Sequence, residues 1–382
     1  LEEFQHYYGN ATFDDQTTTE AGKFMLRMAL EKDNPRYKAA FDRVIAFVLN
    51  SQYPVGAWPQ RYPLKNNFSK DGRPDYTSFI TFNDEVTAEN INFLILCYQT
   101  LGDPRLPEAI QRAMNAYLVT LHTLPQAGWA LQYNPDLQPA GARSYEPKAL
   151  HTRTTVENIH QLLKFYTLTG EVKFLARIPE ALDWLDSVRL SPSLGRLRGS
   201  HPTFIELGTN TPLFLHRTGS NVINGRYYTD KNPHNTISHY SSFQTIDVAA
   251  LRNHVEQVKA INPDEAKQNS ALRPDAATRD LPRFFCLNPA RHNHRSRPPE
   301  SKVRDIINSL NAQGYWPSRL SRTSHPYKGD GPEEVTPGDF SQTKVGDTYD
   351  TSPYPSKKPI MCISTRTYIR NMSTLILYLE SE

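Results

Sequence analysis

The most informative stretch of the chain is a strand-like apolar run that leads through an Asn-Asp pair into a long helical pattern. Ile80-Thr81-Phe82 precedes Asn83 and Asp84, and apolar residues then recur at helical spacing over about residues 91–98. Asp is a favoured N-cap because its carboxylate accepts hydrogen bonds from the free amides of the first turn. Asp84 is therefore either an ordinary helix cap or a carboxylate held at the mouth of a cleft, where it can bind a cation.

The same periodicity recurs along the chain and predicts a series of paired helices. After a first helix that begins near residue 20, helices are expected at about residues 34–50, 84–101, 105–123, 151–169, 171–189, 300–312 and 365–379. Extended segments rich in Gly, Trp and Pro follow some of these helices, at about residues 55–63, 128–135 and 313–317. This weak internal repeat predicts a mainly α fold, an α/α toroid-like barrel of helical hairpins with long loops and short strands lining a central cleft.

The pattern changes after about residue 190 and suggests a division of the chain. Short strand-like runs appear near residues 204–215, and the later stretches at about 262–299 and 321–360 are polar and rich in loop-forming residues. We expect a catalytic core with the substrate cleft at residues 1–240. Residues 241–382 then form a C-terminal extension with long polar loops and a terminal helix that packs on the same domain. His292 and His294 are interpreted as part of a solvated loop.

Composition excludes several classes of protein. The 382 residues carry 43 Lys and Arg against 40 Asp and Glu, a net charge of +3, so no global basic field argues for nucleic-acid binding. The sequence has no run of 18 apolar residues, which argues against a membrane span. Three scattered cysteines form neither a zinc pattern nor a disulfide framework. The first residues, Leu-Glu-Glu-Phe, show no charged region followed by an apolar one, so we expect either a cytoplasmic protein or an exported one whose signal peptide has been removed.

Acidic and basic residues elsewhere in the chain can converge with Asp84 on one site. Asp14 and Asp15 form the only adjacent Asp pair in the sequence and also precede a helix. Three carboxylates offer the oxygen ligands that a hard cation such as Ca²⁺ prefers. Arg143, in an extended loop, and Arg217, at the end of a strand, would suit a polymer of sugar acids, because Arg binds a carboxylate through two parallel hydrogen bonds. Each of these residues can also be a helix cap or a surface charge.

Other catalytic motifs are missing from the sequence. It has no Gly-x-Ser-x-Gly elbow, P-loop, dinucleotide fingerprint or His-Glu-x-x-His. A glycosidase with paired carboxylates remains open, because acidic residues are common but no motif singles out a pair. The 20 Tyr, 17 Phe and 4 Trp residues suit stacking on sugar rings as well as an ordinary aromatic core. Trp58, Tyr62 and Tyr145 are the candidates for stacking.

Four motifs, read in chain order, resemble the pectate lyases of polysaccharide lyase family 10. They are Gly56-x-Trp58-Pro59-Gln60-x-Tyr62-Pro63, Ile80-Thr81-Phe82-Asn83-Asp84, Gln132-Tyr133-x-Pro135-x-Leu137-x-Pro139-x-x-Ala142-Arg143-x-Tyr145-Glu146 and Phe204-x-Glu206-Leu207-Gly208-Thr209-Asn210-x-Pro212-Leu213-Phe214. The similarity covers about residues 10–230, and the chain beyond about residue 240 is not matched. The resemblance implies a mainly α-helical toroid-like fold with a substrate cleft and calcium-dependent β-elimination of polygalacturonate.

The resemblance also implies roles for individual residues. It places metal ligands at Asp14, Asp15 and Asp84, with Asp15 standing where the family usually has Asn. Asp14 and Asp84 would act in catalysis through the metal, and Arg217 would remove the proton even though the pKa of Arg is above about 12. Around Arg217 the chain lacks both Asp residues of the family's Asp-Arg-Asp-Gly turn. It also has Thr where the family commonly has basic residues, at Thr203 and Thr211.

The predicted function is a pectate lyase that cleaves polygalacturonate by calcium-assisted β-elimination and releases 4,5-unsaturated oligogalacturonides. Two alternatives remain, a glycoside hydrolase on an α/α toroid and a non-catalytic uronate-binding relative. The expected partner is the acidic polysaccharide polygalacturonate or pectin, with no nucleic acid and no membrane span. We expect a monomer that is secreted, periplasmic or at the cell surface, as a mature chain lacking its signal peptide.

Overall fold

The chain folds mainly into α-helices that follow one another in packed pairs. The computed structural model describes residues 10–64, 76–143, 145–192, 194, 199–218, 226–234, 236, 240–268, 270, 272–273, 297–319 and 361–380. The helices are α1 (Thr17–Glu31), α2 (Pro35–Ser51), α3 (Val86–Leu101), α4 (Leu106–Thr120), α5 (Thr152–Thr169), α6 (Ile178–Ser187), α7 (Val248–Lys259), α8 (Pro263–Gln268), α9 (Glu300–Asn308) and α10 (Thr365–Glu380). The predicted mainly α class is confirmed.

Local sequence signals set most of the helix boundaries. Helix α2 begins where predicted, because the Asn34 side chain accepts a hydrogen bond of 3.0 Å from the Arg36 amide and Pro35 fills the first helical position. Helices α3 and α5 end at Gly102 and Gly170, whose φ angles of 63° and 66° lie in the left-handed region that favours glycine. Capping and glycine termination therefore account for these elements.

One predicted helix consists of two elements in the structure. The periodicity predicted a single helix over about residues 171–189. The structure has a 3-10 turn at Val172–Phe174 and starts α6 at Ile178. Pro179 occupies the second position of α6 and suits a helix start, because its ring fixes φ and it has no N–H to leave unpaired. A continuous helix through Pro179 would lose a backbone hydrogen bond and clash with the preceding turn.

Short antiparallel strands connect the helices. They are β1 (Ala11–Thr12), β2 (Arg61–Tyr62), β3 (Ile80–Thr81), β4 (Gln132–Tyr133), β5 (Pro139–Ala140), β6 (Leu150–His151), β7 (His201–Pro202), β8 (Phe204–Ile205), β9 (Pro212–Thr218), β10 (Arg226–Asp230), β11 (Phe243–Gln244), β12 (Pro317–Arg319) and β13 (Met361–Ile363). The larger sheets have the orders β10-β9-β8-β6 and β3-β4-β5, and β1–β2, β7–β11 and β12–β13 form pairs. The sheet containing β3 places the start of α3 beside the loop that carries Arg143.

The Gly/Trp/Pro segments share one hydrogen-bonding scheme. Each tryptophan indole donates back to a carbonyl oxygen of the preceding helix, in the pairs Trp58–Val48 (2.8 Å), Trp129–Tyr117 (3.1 Å) and Trp316–Ile306 (2.8 Å). The residue after each tryptophan then pairs with a residue shortly before the next helix, in the pairs Pro59–Ile80, Ala130–Leu150 and Pro317–Ile363. Each unit of the predicted internal repeat therefore consists of a helix, a tryptophan whose indole hydrogen-bonds to a carbonyl oxygen of that helix, a strand pairing and a second helix.

A single large cluster of buried apolar residues joins the first seven helices. It runs from Phe13 to Val258 and includes the fully buried rings of Trp58, Trp129 and Tyr117. Helix α7 contributes Val248 to it, so the core continues past residue 240, and the domain division expected there stays a prediction. No helix in the described ranges is long and apolar enough to cross a membrane. His292, His294 and residues 321–360 lie outside the described residues.

Candidate active site

Two turns of the same unusual shape precede helices α1 and α3. The 3-10 turns Asp14–Gln16 and Asn83–Glu85 each contain left-handed non-glycine residues, Asp15 (φ 51°) and Gln16 (φ 62°) in one, Asp84 (φ 52°) and Glu85 (φ 59°) in the other. Side chains with a Cβ rarely adopt this conformation, and each such residue costs about 1–3 kcal/mol unless the surroundings impose it. Strain repeated in two equivalent turns indicates a built site.

Equivalent contacts hold both turns in place. Thr18 donates a hydrogen bond of 2.6 Å to the Thr12 carbonyl oxygen, and Thr87 donates one of 2.8 Å to the Thr81 carbonyl oxygen. The Gln16 side-chain amide of the first turn donates to the Glu85 carboxylate of the second, which joins the turns directly. The interpretation of Asp84 as a helix cap is wrong, because α3 begins at Val86 without any side-chain cap.

The turns bring three carboxylates from distant parts of the sequence together. One carboxylate oxygen from each of Asp14, Asp15 and Asp84 lies within 4.8 Å of the others. Asp15 is exposed and the other two are half-buried, so the cluster is open to solvent on one side. Within the described part of the chain, Oδ1 of Asp84 accepts no hydrogen bond, since both bonds to this carboxylate go to Oδ2. Hard oxygen donors with room for water or substrate fit a divalent cation.

Arg143 lies at the back of this carboxylate cluster. Its Nη2 donates to Oδ2 of Asp14 at 2.5 Å and its Nη1 to Oδ2 of Asp84 at 2.9 Å, while only 6% of the side chain is exposed. Burial lowers the pKa of Arg143, but Glu146 and Asp14 raise it, and the net shift is upward. The guanidinium is therefore a fixed positive charge that relieves the repulsion between Asp14 and Asp84.

Glu146 forms a buried ion pair with Arg143. The sequence alone did not identify Glu146 as a site residue. Its side chain is fully buried and accepts bonds from the Arg143 amide (2.9 Å), Arg143 Nη1 (2.9 Å), Tyr240 Oη (2.6 Å), Asn83 Nδ2 (3.1 Å) and Gln132 Nε2 (3.1 Å). A buried carboxylate is tolerated only with such compensation. The sequence feature that could have identified Glu146 is its position three residues after Arg143, within the same family motif.

Tyrosine rings connect this network to the strand that carries Arg217. The Tyr145 ring contacts those of Tyr240 (5.8 Å between centroids) and Tyr227 (6.0 Å). Arg217 lies in β9 directly opposite Tyr227 of β10 in the antiparallel ladder. Burial raises the pKa of the Tyr240 hydroxyl, and the charges of Glu146 and Asp84 raise it further, so this hydroxyl stays a donor. The roles predicted for Arg217 and Tyr145 stay predictions.

The expectation that Trp58 stacks on a sugar ring is wrong. Its side chain is completely buried, and its indole N–H donates to the Val48 carbonyl oxygen. The large ring fills the core behind the first turn, where no sugar can reach it. Tyr62 lies in β2 and is half-buried, with its ring edge-on to Phe47 at 5.6 Å. Its proposed contact with sugar stays a prediction.

His151 is a buried histidine beside the site that the sequence did not reveal. Its ring packs on Tyr240 (6.3 Å) and Phe204 (5.2 Å), and its Nδ1 accepts the Thr154 amide at 3.1 Å. Burial, together with the nearby charge of Arg153, lowers the pKa of His151 to about 3, so the ring is neutral at ordinary pH. Its buried Nε2 has no hydrogen-bond partner among the described residues.

The chain is similar to known proteins in sequence and in structure. The sequence matches the family described as pectic acid lyase over residues 3–253, more than half of the chain. A point mutant of a family 10 polysaccharide lyase from Cellvibrio cellulosa, in complex with trigalacturonic acid, is 22% identical with a TM-score of 0.43, covering 54% of this chain and 70% of that one. The family 10 polysaccharide lyase from Cellvibrio cellulosa is 19% identical with a TM-score of 0.43, covering 66% and 82%.

No curated protein matches the chain. The family match includes both carboxylate-bearing turns, the loop of Arg143 and strand β9. The chain belongs to the pectic acid lyase family and is thus a polysaccharide lyase that acts on pectate.

Proposed function

We propose that the chain cleaves polygalacturonate by β-elimination with a calcium ion bound by Asp14, Asp15 and Asp84. The observation that carries this proposal is the meeting of these three carboxylates from two separate turns. An ion at this site would act as a Lewis acid on a substrate carboxylate and stabilise the charge that develops when the neighbouring C5 proton leaves. The open side of the cluster leaves room for that carboxylate.

The residues of the chain contribute binding and orientation. Arg143 is held by Glu146 from below, so its charge stays in place when Asp14 and Asp84 turn to another partner. A fixed guanidinium next to the cluster also attracts the uronate carboxylates of the polymer. Arg217 is the residue that we assign to proton removal, because β9 and β10 bring its position next to the tyrosine cluster beside the site.

One assay distinguishes this function from the alternatives. The protein is incubated with polygalacturonate, with calcium or with a chelator, while the ultraviolet absorbance of unsaturated uronides is followed. A pectate lyase gives a calcium-dependent rise in absorbance. A glycoside hydrolase gives new reducing ends without that rise, and a uronate-binding relative gives neither. Absence of the rise at all calcium concentrations contradicts the proposal.

The role of Arg217 has its own test. Arg217→Ala should abolish formation of the unsaturated product and leave calorimetric calcium binding unchanged, because the cation ligands lie on other elements. Arg304→Ala is the control, since Arg304 is an exposed arginine of α9 whose one ion-pair partner among the described residues is Glu300 of its own helix. Retention of near wild-type turnover by Arg217→Ala would remove this residue from the mechanism.

We also propose that the enzyme works outside the cytoplasm as a monomer on an α/α toroid. Polygalacturonate is a polymer that does not cross membranes, which favours a secreted, periplasmic or cell-surface location. The successive packing of α1 on α2 and α3, α4 on α5, and α5 on α6 supports the toroid arrangement. Gel filtration together with fractionation of the producing cells tests both the oligomeric state and the location.

A further inference from the structure

A polar groove lies between helices α5 and α7, outside the carboxylate cluster. Its volume is about 540 Å³, and the residues that matter for its chemistry are Arg153, His160, Gln244, Thr245 and His254. Ligand pockets typically span about 300–1,000 Å³, so the groove can hold a small ligand or part of a polymer. We call it the α5–α7 groove.

Two histidines, one from each helix, lie close together in the lining of this groove. The rings of His160 on α5 and His254 on α7 lie 5.4 Å apart at an angle of 38°. Within the described residues neither ring makes a hydrogen bond, so both offer ring nitrogens to a ligand. Burial and the neighbouring His254 lower the pKa of His160. A neutral imidazole has one donor and one acceptor, which suits sugar hydroxyl groups.

Arg153 supplies a cation at the mouth of the groove. Its Nε donates to Oε1 of Glu157 at 2.7 Å, and 66% of its side chain is exposed. Its terminal Nη groups make no hydrogen bond to any described residue, so two parallel donors are available for a carboxylate. The other acidic group of the groove, Asp247, already accepts a bond from the Ala250 amide at 2.9 Å.

The rest of the lining gives the groove the character of a carbohydrate site. Val156, Ile246 and Leu251 add apolar surface to the same lining as the histidines and Arg153. Sugars present an apolar C–H face and a rim of hydroxyl groups, so a lining with both apolar surface and polar groups matches both. A purely apolar ligand would leave the imidazoles and the guanidinium without partners, which is unfavourable.

The groove adjoins the carboxylate cluster through a single tyrosine. Gln244, which lines the groove, donates to the Tyr240 carbonyl oxygen at 3.1 Å. The hydroxyl of Tyr240 donates at 2.6 Å to Glu146, which holds Arg143. Arg153 and Glu157 also act electrostatically on Glu85, the neighbour of Asp84. Hydrogen bonds through Tyr240 thus link the groove to the cluster, and the charges of the groove act on the turn that carries Asp84.

We propose that the α5–α7 groove is a distal subsite for further uronate units of the bound polymer. His160 and His254 hydrogen-bond sugar hydroxyls there, and Arg153 binds a uronate carboxylate. The inference rests on the proposed function, because it assigns the groove to the same substrate. It predicts that residues of the groove affect only substrates long enough to reach it.

Substrate length provides the test. KM and kcat are measured on a galacturonate trimer and a longer oligomer for the wild type, for Arg153→Ala and for the double variant His160→Ala with His254→Ala. Arg304→Ala is the matched control, since Arg304 also pairs with a glutamate one turn away and 71% of its side chain is exposed. Thermal unfolding shows whether each variant is folded, which is expected because all three groove residues are at the surface.

The subsite predicts a specific pattern of KM values. Loss of a few hydrogen bonds should raise KM for the long oligomer by about tenfold in both groove variants, while kcat and the trimer values stay unchanged. Equal KM for the long oligomer in all variants overturns the subsite. If the wild type forms no unsaturated product, the proposed function fails. The subsite is then tested by calorimetric measurement of the affinity for the long oligomer. In that case, equal affinity of the wild type and the double variant for the long oligomer overturns the subsite.

Discussion

Asp14 and Asp84 bind the same guanidinium, that of Arg143, at 2.5 Å and 2.9 Å. The two carboxylates precede helices of different hairpins, so this shared contact fixes the distance between the two turns. Two like charges this close repel each other unless a positive charge lies between or beside them. Arg143 is that charge within the protein, and a bound cation would be a second one on the open side.

Glu146→Gln tests whether a buried carboxylate holds Arg143. The substitution keeps the shape but removes a charge that accepts bonds from Tyr240 and Arg143. Because it leaves a buried guanidinium with one fewer counter-ion, the free energy of unfolding should fall by about 3–5 kcal/mol. Urea unfolding measures the loss, with the exposed Glu265→Gln on α8 as the control. A loss of less than about 1 kcal/mol would contradict the role.

Tyr240→Phe should have a smaller effect on the same network. It removes one hydrogen bond of 2.6 Å to a charged acceptor and keeps the ring contacts with Tyr145 and His151. Hydrogen bonds to charged groups contribute about 1.5–3 kcal/mol, so the unfolding free energy should fall within that range. The same urea titration measures it. A loss that exceeds that of Glu146→Gln would show that Tyr240 acts through something other than Glu146.

Trp58→Phe distinguishes a core tryptophan from a sugar platform. The smaller ring leaves a cavity and removes the indole hydrogen bond to the Val48 carbonyl oxygen, which still accepts from the Ser51 hydroxyl, so the protein should lose about 2 kcal/mol or more of stability. KM for polygalacturonate should not change, because the ring is fully buried. Denaturant unfolding and steady-state kinetics on the same preparation check both statements. A raised KM at unchanged stability would restore the stacking role.

His151 makes stability depend on pH in the acid range. Its pKa is about 3 in the folded protein and about 6.5 in an unfolded chain, so the unfolded chain binds one more proton between these values. The stabilisation is complete above pH 6.5 and declines as the pH falls towards 3. Between pH 7 and pH 4.5 the free energy of unfolding should fall by about 2.5 kcal/mol because of His151.

His151→Asn provides the comparison for that prediction. Asn can still accept the Thr154 amide at the start of α5 but does not titrate. The difference between unfolding free energies at the two pH values should therefore be smaller in the variant by about 2.5 kcal/mol. Urea unfolding of both proteins at each pH measures it. An equal difference in both proteins would mean that His151 is protonated in the folded state.

Most of the fold could be predicted from local sequence signals. Asn34-Pro35 started α2, Gly102 and Gly170 ended α3 and α5, and the three Gly/Trp/Pro segments marked the repeat. The sequence failed where a local signal had two physical meanings. Trp58 belongs to a family motif, but its indole makes a hydrogen bond to a helix carbonyl oxygen and does not contact sugar.

The candidate site could be predicted only in part. Asp14, Asp15 and Asp84 were recognisable because each turn lies before a helix, and the structure brings them together. Tyr240 and His151 were not recognisable, since they act through burial and contacts between distant segments that leave no periodic pattern. The left-handed turns also escaped prediction, because a positive φ is uncommon for any residue other than glycine and, of the residues here, only Asp is enriched in that conformation.

A double-mutant cycle measures most directly whether the carboxylates of the two turns bind one shared calcium ion. Calcium binding is followed by calorimetry in the wild type, Asp14→Asn, Asp84→Asn and the double variant, with the exposed Asp264→Asn as control. Each single change at the cluster should weaken calcium binding by at least about tenfold, and the double change should weaken it by less than the product of the two single effects. Calcium affinity equal to that of the wild type in both single variants would contradict a shared ion.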